Sequence, residues 1–530
     1  MTDAAHARLP PVPELLARAY APASFAADGR RVIEALAGGL AEVAGRERAQ
    51  VSTTASTAAL REAYPATFAE HGHGDLVGEL ARAVDGSIRL HHPRVFGHQV
   101  APPLPGAALA ELTSALLNNG MAITEMGPAA SAMEHAVIGW MAAQLGWAEG
   151  AGGVLTSGGS LGNLTALLAA RQARAGYDAW TEPTAAGPPL AVLTSADAHY
   201  SVARAVRILG WGDAGVVPVA IDARHRLRPR ALDDAAAAAA AAGVRVVAIV
   251  AAAGSTATGA FDPLDEIAAI AAARGLWLHV DGAHGASVAL SSHHRARLRG
   301  IERADSVVWD AHKLLLMPAM ATAVLYRDAR AGRGAFAQQA AYLFGADAGG
   351  DDATWEIGRG TFECTKRMIA LALHATLRTH GVALWRAAID RVMAAAAAFA
   401  ERIERAPDFG AGAGAREQHR LLPTPAAGRR RSHAGGARRP PARAARARDR
   451  VGALLRGDHP LADRRVPTLG ADEPAGRGRR PRRRARRAAG GRARRAAVAA
   501  RRRQRDATRR SRMACSRVSR RARSELRGSR

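Results

Sequence analysis

From about Gly152 onward the chain alternates short apolar runs with helix-length segments, and this rhythm constrains the fold more than any other feature. GGVLTS is followed by NLTALLAARQARAG, LAVLTS by HYSVARAVRILG, VVPVAI by ALDDAAAAAAAAG, and VRVVAIVAAAG by PLDEIAAIAAARG. LWLHVDGAHG, SVVWDAH and ATAVLYRD continue the pattern. Uninterrupted apolar runs separated by helices describe strands buried on both faces of a mostly parallel sheet, an α/β fold. Ligands in such sheets gather at the carboxyl ends of the strands. The polar punctuation falls there: TSGGS, DAH, GST and DGAH each close a run.

Residues 1–90 alternate proline-containing breaks with amphipathic stretches such as SFAADGRRVIEALAGGLAEVAG, which predicts an N-terminal helical arm. Residues 91–375 hold the sheet. TKRMIALALHATLRTHG and LWRAAIDRVMAAAAAFAERIERA predict a connecting helix and then the first helix of a small domain over 376–409. The last segment, 410–530, is of another kind. The chain's net charge of +27 is misleading, because residues from Gly410 onward hold 38 Arg against 8 acidic residues, and the preceding part is slightly acidic. Every Phe, Trp and Tyr lies at or before Phe409, so the tail lacks material for a packed core and is expected to be disordered.

Two cysteines, Cys364 and Cys515, give no disulfide framework and no metal-ligand spacing. The start, MTDAAHARLPPVPELL, lacks a basic region followed by an apolar stretch, and no run of 18 apolar residues occurs. The expectation is a cytoplasmic protein without membrane contact.

GGVLTSGGSLGNLTALLAAR puts Gly158, Gly159 and Ser160 between a strand and a helix, where backbone amides can surround an anion. It lacks the lysine of a P-loop, and a tight turn would read the same way. Asp281 ends a buried strand and needs a cation or strong donor there. Lys313 sits in the apolar stretch DSVVWDAHKLLLMP and is one of only two lysines, the other being Lys366, in a chain with 72 arginines. Arginine keeps its charge, whereas a desolvated lysine can lose its proton and attack a carbonyl. A lysine snorkelling from a strand end gives the same pattern. Together, though, an anion cradle, a buried acid and a lysine match the phosphate, pyridine nitrogen and aldehyde of pyridoxal 5'-phosphate.

These motifs, in this order over residues 60–405, resemble the group II pyridoxal-phosphate-dependent amino-acid decarboxylases, a family acting on glutamate, cysteine sulfinate, diaminobutyrate or aromatic amino acids. HPRVFGHQVAPP, NNGMAITEMGPAASAMEHAVIGWM and GRGTFECTKR extend the likeness. The resemblance implies a fold-type I large domain, a mostly parallel mixed sheet between helices, in a homodimer with sites at the subunit interface. It implies that Lys313 carries the cofactor's aldehyde, that Asp281 keeps the pyridine nitrogen protonated, and that His199 and Ala283 cover the two ring faces. Outside this context His199 would read as a satisfied histidine at a strand end. Gly158, Gly159, Ser160, Asn163, Thr256 and His312 complete the implied cofactor-binding set. Tyr342, in AFAQQAAYLFGAD, aligns with the tyrosine of the family's mobile loop that returns a proton after carbon dioxide leaves. Asp310 departs from the pattern: several relatives carry neutral Asn there, near the phosphate, so this carboxylate must point away or be offset.

The implied activity is a pyridoxal-phosphate-dependent carboxy-lyase converting an L-amino acid to its amine. Acidic substrates such as glutamate, aspartate or cysteine sulfinate are preferred, with diaminobutyrate or aromatic amino acids as alternatives. Selectivity is expected from the segment His92–Gln99, the loop NNGMAITEMGP, the partner subunit and the small domain. Where the family continues with a strand resembling SNIVCFR, this chain reads GAGAGAREQHRLLP. Back-translating Glu417–Pro423 as GAG CAA CAT CGT CTG CTT CCG and regrouping one base out of register gives AGC AAC ATC GTC TGC TTC, which encodes SNIVCF. A change of reading frame near Phe409 is therefore expected. Two other classes compete. The arginine-rich tail could bind nucleic acid, yet it has no aromatic residue for base stacking, so no specific nucleic-acid partner is expected. Other chemistry on the same cofactor, transamination or aldehyde formation, is the second; Tyr342 argues for simple decarboxylation.

Overall fold

Among the described residues six of the seven strands run in the same direction, so their carboxyl ends share one rim. The computed structural model describes residues 13–406, apart from 46–50, 54, 65–67, 71, 96, 184–186 and 337–355. Tyr342 and the arginine-rich segment lie outside the described residues. The chain first forms helices α1 (Glu14–Ala19), α2 (Pro22–Gly45), α3 (Thr57–Ala63) and α4 (Leu76–Asp85), among which only Val43 of α2 is buried. Helices α5 (Pro105–Leu117) and α6 (Pro128–Gln144) follow, each opening on a proline whose missing N–H costs nothing at that position.

Then the alternation read in the sequence appears. Strand β1 (Gly152–Thr156) leads to α7 (Gly159–Arg174), β2 (Leu190–Ser195) to α8 (Tyr200–Ile208), β3 (Val216–Val219) to α9 (Pro229–Ala241), and β4 (Arg245–Ala252) to α10 (Leu264–Ala273). Strands β5 (Trp277–Asp281), β6 (Ser306–Asp310) and β7 (Thr322–Tyr326) precede α11 (Ala329–Ala335), α12 (Ala370–His380) and α13 (Ala383–Arg405). The sheet order is β1-β7-β6-β5-β4-β2-β3, with β7 antiparallel to both neighbours and the remaining pairs parallel. Pro218 lies in β3, an edge strand, where its absent donor breaks no central ladder.

Alternate residues of each strand enter separate cores, because side chains point to opposite faces with period two. Leu155, Leu193, Ile249, Leu278, Val307 and Trp309 join one core, to which Trp385 and Ile389 of α13 also belong. Val154, Val192, Val250, Val308 and Val324 join the other, with Ala166 and Leu167 of α7 and Val202 and Val206 of α8.

A buried ion pair ties α6 to the sheet. Lys366, the chain's second lysine, meets Glu134, both side chains being 1% exposed, and also donates to the carbonyl of Leu155 at 2.7 Å. Glu134 Oε1 accepts the Leu155 N–H at 2.9 Å. Removing one partner strands the other charge out of water. Lys366→Met is expected to cost about 3–5 kcal/mol in urea unfolding, and Glu134→Met combined with Lys366→Met to recover most of that loss. If the double variant is no more stable than Lys366→Met alone, the pair does not carry this energy.

Candidate active site

Glycine makes the close approaches at the strand rim possible. Gly158, the second of two residues between β1 and α7, has φ +114°, and a Cβ there would lie 3.0 Å from Met320 Sδ. A Cβ on Gly159 would sit 3.1 Å from both Asp310 carboxylate oxygens. The N-cap of α7, Gly158, has no side chain to cap the helix, and the first turn borders a cavity of about 460 Å³. All ten described candidates line this one cavity: Gly158, Gly159, Ser160, Asn163, His199, Thr256, Asp281, Ala283, His312 and Lys313.

Strand register explains the convergence. Asp281 closes β5 opposite Ala252 of β4, and Asp310 closes β6 opposite Thr322 of β7. The Asp281 carboxylate accepts from Asn163 Nδ2 at 2.9 Å and from the Ala283 N–H at 3.2 Å. Thr256 borders the cavity, and its carbonyl accepts from Gln99 Nε2 at 2.8 Å, joining the His92–Gln99 segment to the rim.

Asp310 is offset rather than turned away. It accepts from Thr322 Oγ1 at 2.6 Å and pairs with Lys313 Nζ at 3.1 Å, while His312 Nε2 lies 3.5 Å from the same carboxylate. The lysine is thus neutralised locally, with its side chain 18% exposed to the cavity.

His199 leads into α8 and accepts the Ser201 N–H at Nδ1. Burial holds its imidazole below the ordinary range against the opposing pull of Asp281. Sequence reasoning missed three buried groups behind and beside these residues. His279, inside LWLHVDG, bonds Asn163 Oδ1 at 3.0 Å and Ser306 Oγ at 2.9 Å. A histidine within an apolar strand was the available signal. Ser201 joins Asn163 to His199, and nothing in the sequence marks it. His284 borders the cavity, its buried Nδ1 without a hydrogen-bond partner among the described residues.

These residues fit pyridoxal phosphate. The uncapped α7 turn with two glycines suits a phosphate, a carboxylate suits a ring nitrogen, an amine suits an aldehyde, and an orphaned buried nitrogen marks a site built to receive a polar group. A model of the pyridoxal-dependent decarboxylase conserved domain matches residues 58–419. Cysteine sulfinic acid decarboxylase of Mus musculus is 36% identical over 325 residues, covering 61% of this chain and 65% of that protein. L-2,4-diaminobutyrate decarboxylase of Rhizobium meliloti is 36% identical over 306 residues, covering 58% and 60%. The chain therefore spans about two thirds of the length of these relatives or less. The crystal structure of the mouse cysteine sulfinic acid decarboxylase superposes with a TM-score of 0.67 at 30% identity, covering 73% of this chain and 80% of that one.

Burial pushes His279 down to about 4 and, together with the Lys313 charge, His284 likewise, from an ordinary 6.5. Unfolded, both histidines take up protons near pH 6.5; folded, they do so only near pH 4. The contribution of these two groups is therefore complete above pH 6.5 and is lost as the pH drops toward 4, by at most about 3 kcal/mol per group, while Asp262, pushed up to about 6 by burial, offsets part of that loss. Thermal unfolding between pH 7 and 4 should show this loss, and His284→Asn should reduce it; an unchanged pH slope in that variant would remove His284 from the account.

Proposed function

The chain belongs to the pyridoxal-dependent decarboxylase family, and from that premise we propose that it removes the α-carboxylate of an L-amino acid as carbon dioxide and releases the amine. The observation that carries this reading is the placement of Lys313 Nζ, the Asp281 carboxylate and the glycine turn before α7 around one cavity. Bound pyridoxal phosphate supplies the electron sink that accepts the pair left when the carboxylate departs.

The chain's own residues do the rest. Gly158, Gly159 and Ser160 hold the phosphate against the α7 N-terminus. Lys313 would hold the cofactor at its aldehyde, and the Asp310 carboxylate at 3.1 Å keeps that lysine beside the phosphate turn. Asp281 keeps a proton on the ring nitrogen, since a neighbouring carboxylate favours the charged form. Neutral His199 and Ala283 cover the two ring faces, His312 and Thr256 border the ring, and Tyr342 returns a proton to the substrate carbon.

Acidic amino acids are the preferred substrates, in keeping with the likeness to a cysteine sulfinic acid decarboxylase; diaminobutyrate is the alternative. The test is an absorption spectrum with added pyridoxal phosphate before and after borohydride reduction, peptide mapping of the modified lysine, and amine detection with glutamate, aspartate, cysteine sulfinate and diaminobutyrate. Fixation of the cofactor on Lys313 with amine from an acidic substrate is expected. Fixation elsewhere, or none, sinks the site; amine from diaminobutyrate alone sinks the substrate preference.

The active form is a homodimer in this reading. Leu109, Leu112 and Leu116 form an exposed apolar stripe on α5, and Leu15, Leu16 and Tyr20 are exposed near α1. Such apolar surface favours association. Leu112→Glu with Leu116→Glu should yield monomers in sedimentation velocity, and a variant that remains dimeric rules this face out. A cytoplasmic location fits the exposed, unpaired Cys364, and among the described residues no helix is long and apolar enough to cross a membrane. Residues 376–409 are read as the opening of a small domain.

A further inference from the structure

We infer that Asn163 is a positioning residue whose single amide, bonded to Asp281, Ser201 and His279, fixes how the ring-nitrogen partner and the ring-face histidine are presented to the cofactor. The inference rests on the proposed roles of Asp281 and His199.

Each proton in this network can be assigned from the geometry. Asn163 Nδ2 lies 2.9 Å from Asp281 Oδ2 and 2.8 Å from Ser201 Oγ, and Oδ1 lies 3.0 Å from His279 Nε2. A carboxylate oxygen only accepts, so turning the amide over would set oxygen against oxygen. Asn163 Oδ1 also only accepts, so Nε2 of His279 carries its hydrogen. His279 is neutral through burial, which leaves Nδ1 bare to accept the Ser306 hydroxyl at 2.9 Å. Ser306 Oγ accepts in turn from Trp277 Nε1 at 2.8 Å.

On the other side the Ser201 N–H points at His199 Nδ1 at 3.3 Å. A backbone N–H only donates, so this nitrogen is bare, and the Ser201 hydroxyl 2.7 Å away donates to it as well. Its oxygen is then free to accept from Asn163, and His199 presents Nε2–H. Both amide hydrogens and the amide oxygen of Asn163 are thus committed within the protein.

The fold gives this short side chain its reach. A Cβ on the preceding Gly162 would lie 3.1 Å from Val308 Cγ2 and 3.2 Å from Thr322 Cγ2, so α7 sits close against β6 and β7. Asn163, 1% exposed, spans the remaining gap to β5.

The test uses the full chain labelled with ¹⁵N-histidine and free of cofactor, followed by titration with pyridoxal phosphate. In the unaltered protein His279 and His199 should both show Nε2–H. Asn163→Leu removes the acceptor and should move the His279 proton to Nδ1, facing Ser306. Asn163→Asp matches the shape and still accepts from His279, but its other oxygen faces Asp281 Oδ2 where the amide donor stood, so the two carboxyls must repel or share a proton; it should leave the His279 proton on Nε2 and weaken cofactor binding about ten-fold or more. An Nε2–H His279 in Asn163→Leu, or cofactor affinity in Asn163→Asp within about two-fold of the unaltered chain, would overturn the inference. If Asn163→Leu does not fold, the isosteric variant decides alone. Failure of the unaltered chain to bind pyridoxal phosphate would refute the proposed function, while the tautomers in the cofactor-free protein test Asn163 separately.

Discussion

Two carboxylates at neighbouring strand ends, Asp310 buried and Asp281 partly so, organise the rim. An ionised acid in a sheet core is costly unless donors or cations surround it, and Asp281 and Asp310 meet this cost differently. Asp310 draws Lys313 and the Thr322 hydroxyl. Among the described residues Asp281 has no cation as a hydrogen-bond partner and draws Asn163 and a backbone N–H instead. The difference suits their proposed tasks. A carboxylate meant to meet a protonated ring nitrogen should not already be neutralised by a lysine, whereas one beside the reactive amine holds that amine in place.

The same cost explains how much of the site was legible. Lys313, Asp281 and the Gly158–Ser160 turn stand out in sequence because they are the wrong residue types for their surroundings: a lysine in an arginine-rich chain, an acid ending an apolar run, glycines where a helix begins. The strand and helix rhythm was legible for a similar reason, since strands buried on both faces must read as apolar runs. Ser201, Ser306 and the fixed orientation of Asn163 were not legible. A small polar residue near a helix start or a strand end is ordinary in sequence, and only β5 beside β6 and α7 beside α8 make the network. Lys366 was visible as one of two lysines, but its partner Glu134 lies 232 positions away and no periodicity links them.

Packing and chemistry are coupled through glycines that carry no chemistry themselves. Gly159 lets the helix start approach Asp310, and Gly162 lets α7 lie close enough for Asn163 to reach β5. An alanine at either position would have to displace a carboxylate or two packed side chains by a few tenths of an ångström. Because interiors are close-packed, such a shift spreads to the next layer, so substitutions at these glycines should affect cofactor geometry as much as fold stability.

On the proposed reading, the described cavity is mainly the cofactor half of an active site. Its lining residues account for phosphate, ring nitrogen, both ring faces and aldehyde, and among the described lining residues there is no arginine for a second substrate carboxylate. An acidic substrate needs such a partner, because a carboxylate leaving water without a cation or strong donors loses more than its contacts return. Selectivity must therefore come from groups brought to the rim from elsewhere. The Gln99 bond to Thr256 draws one candidate segment there, and in the proposed homodimer the exposed apolar stripe on α5 would be the surface on which a second subunit docks. A docked partner would add its own groups to the rim beside those of the His92–Gln99 segment; by itself the cavity explains the cofactor but not the side chain it would select.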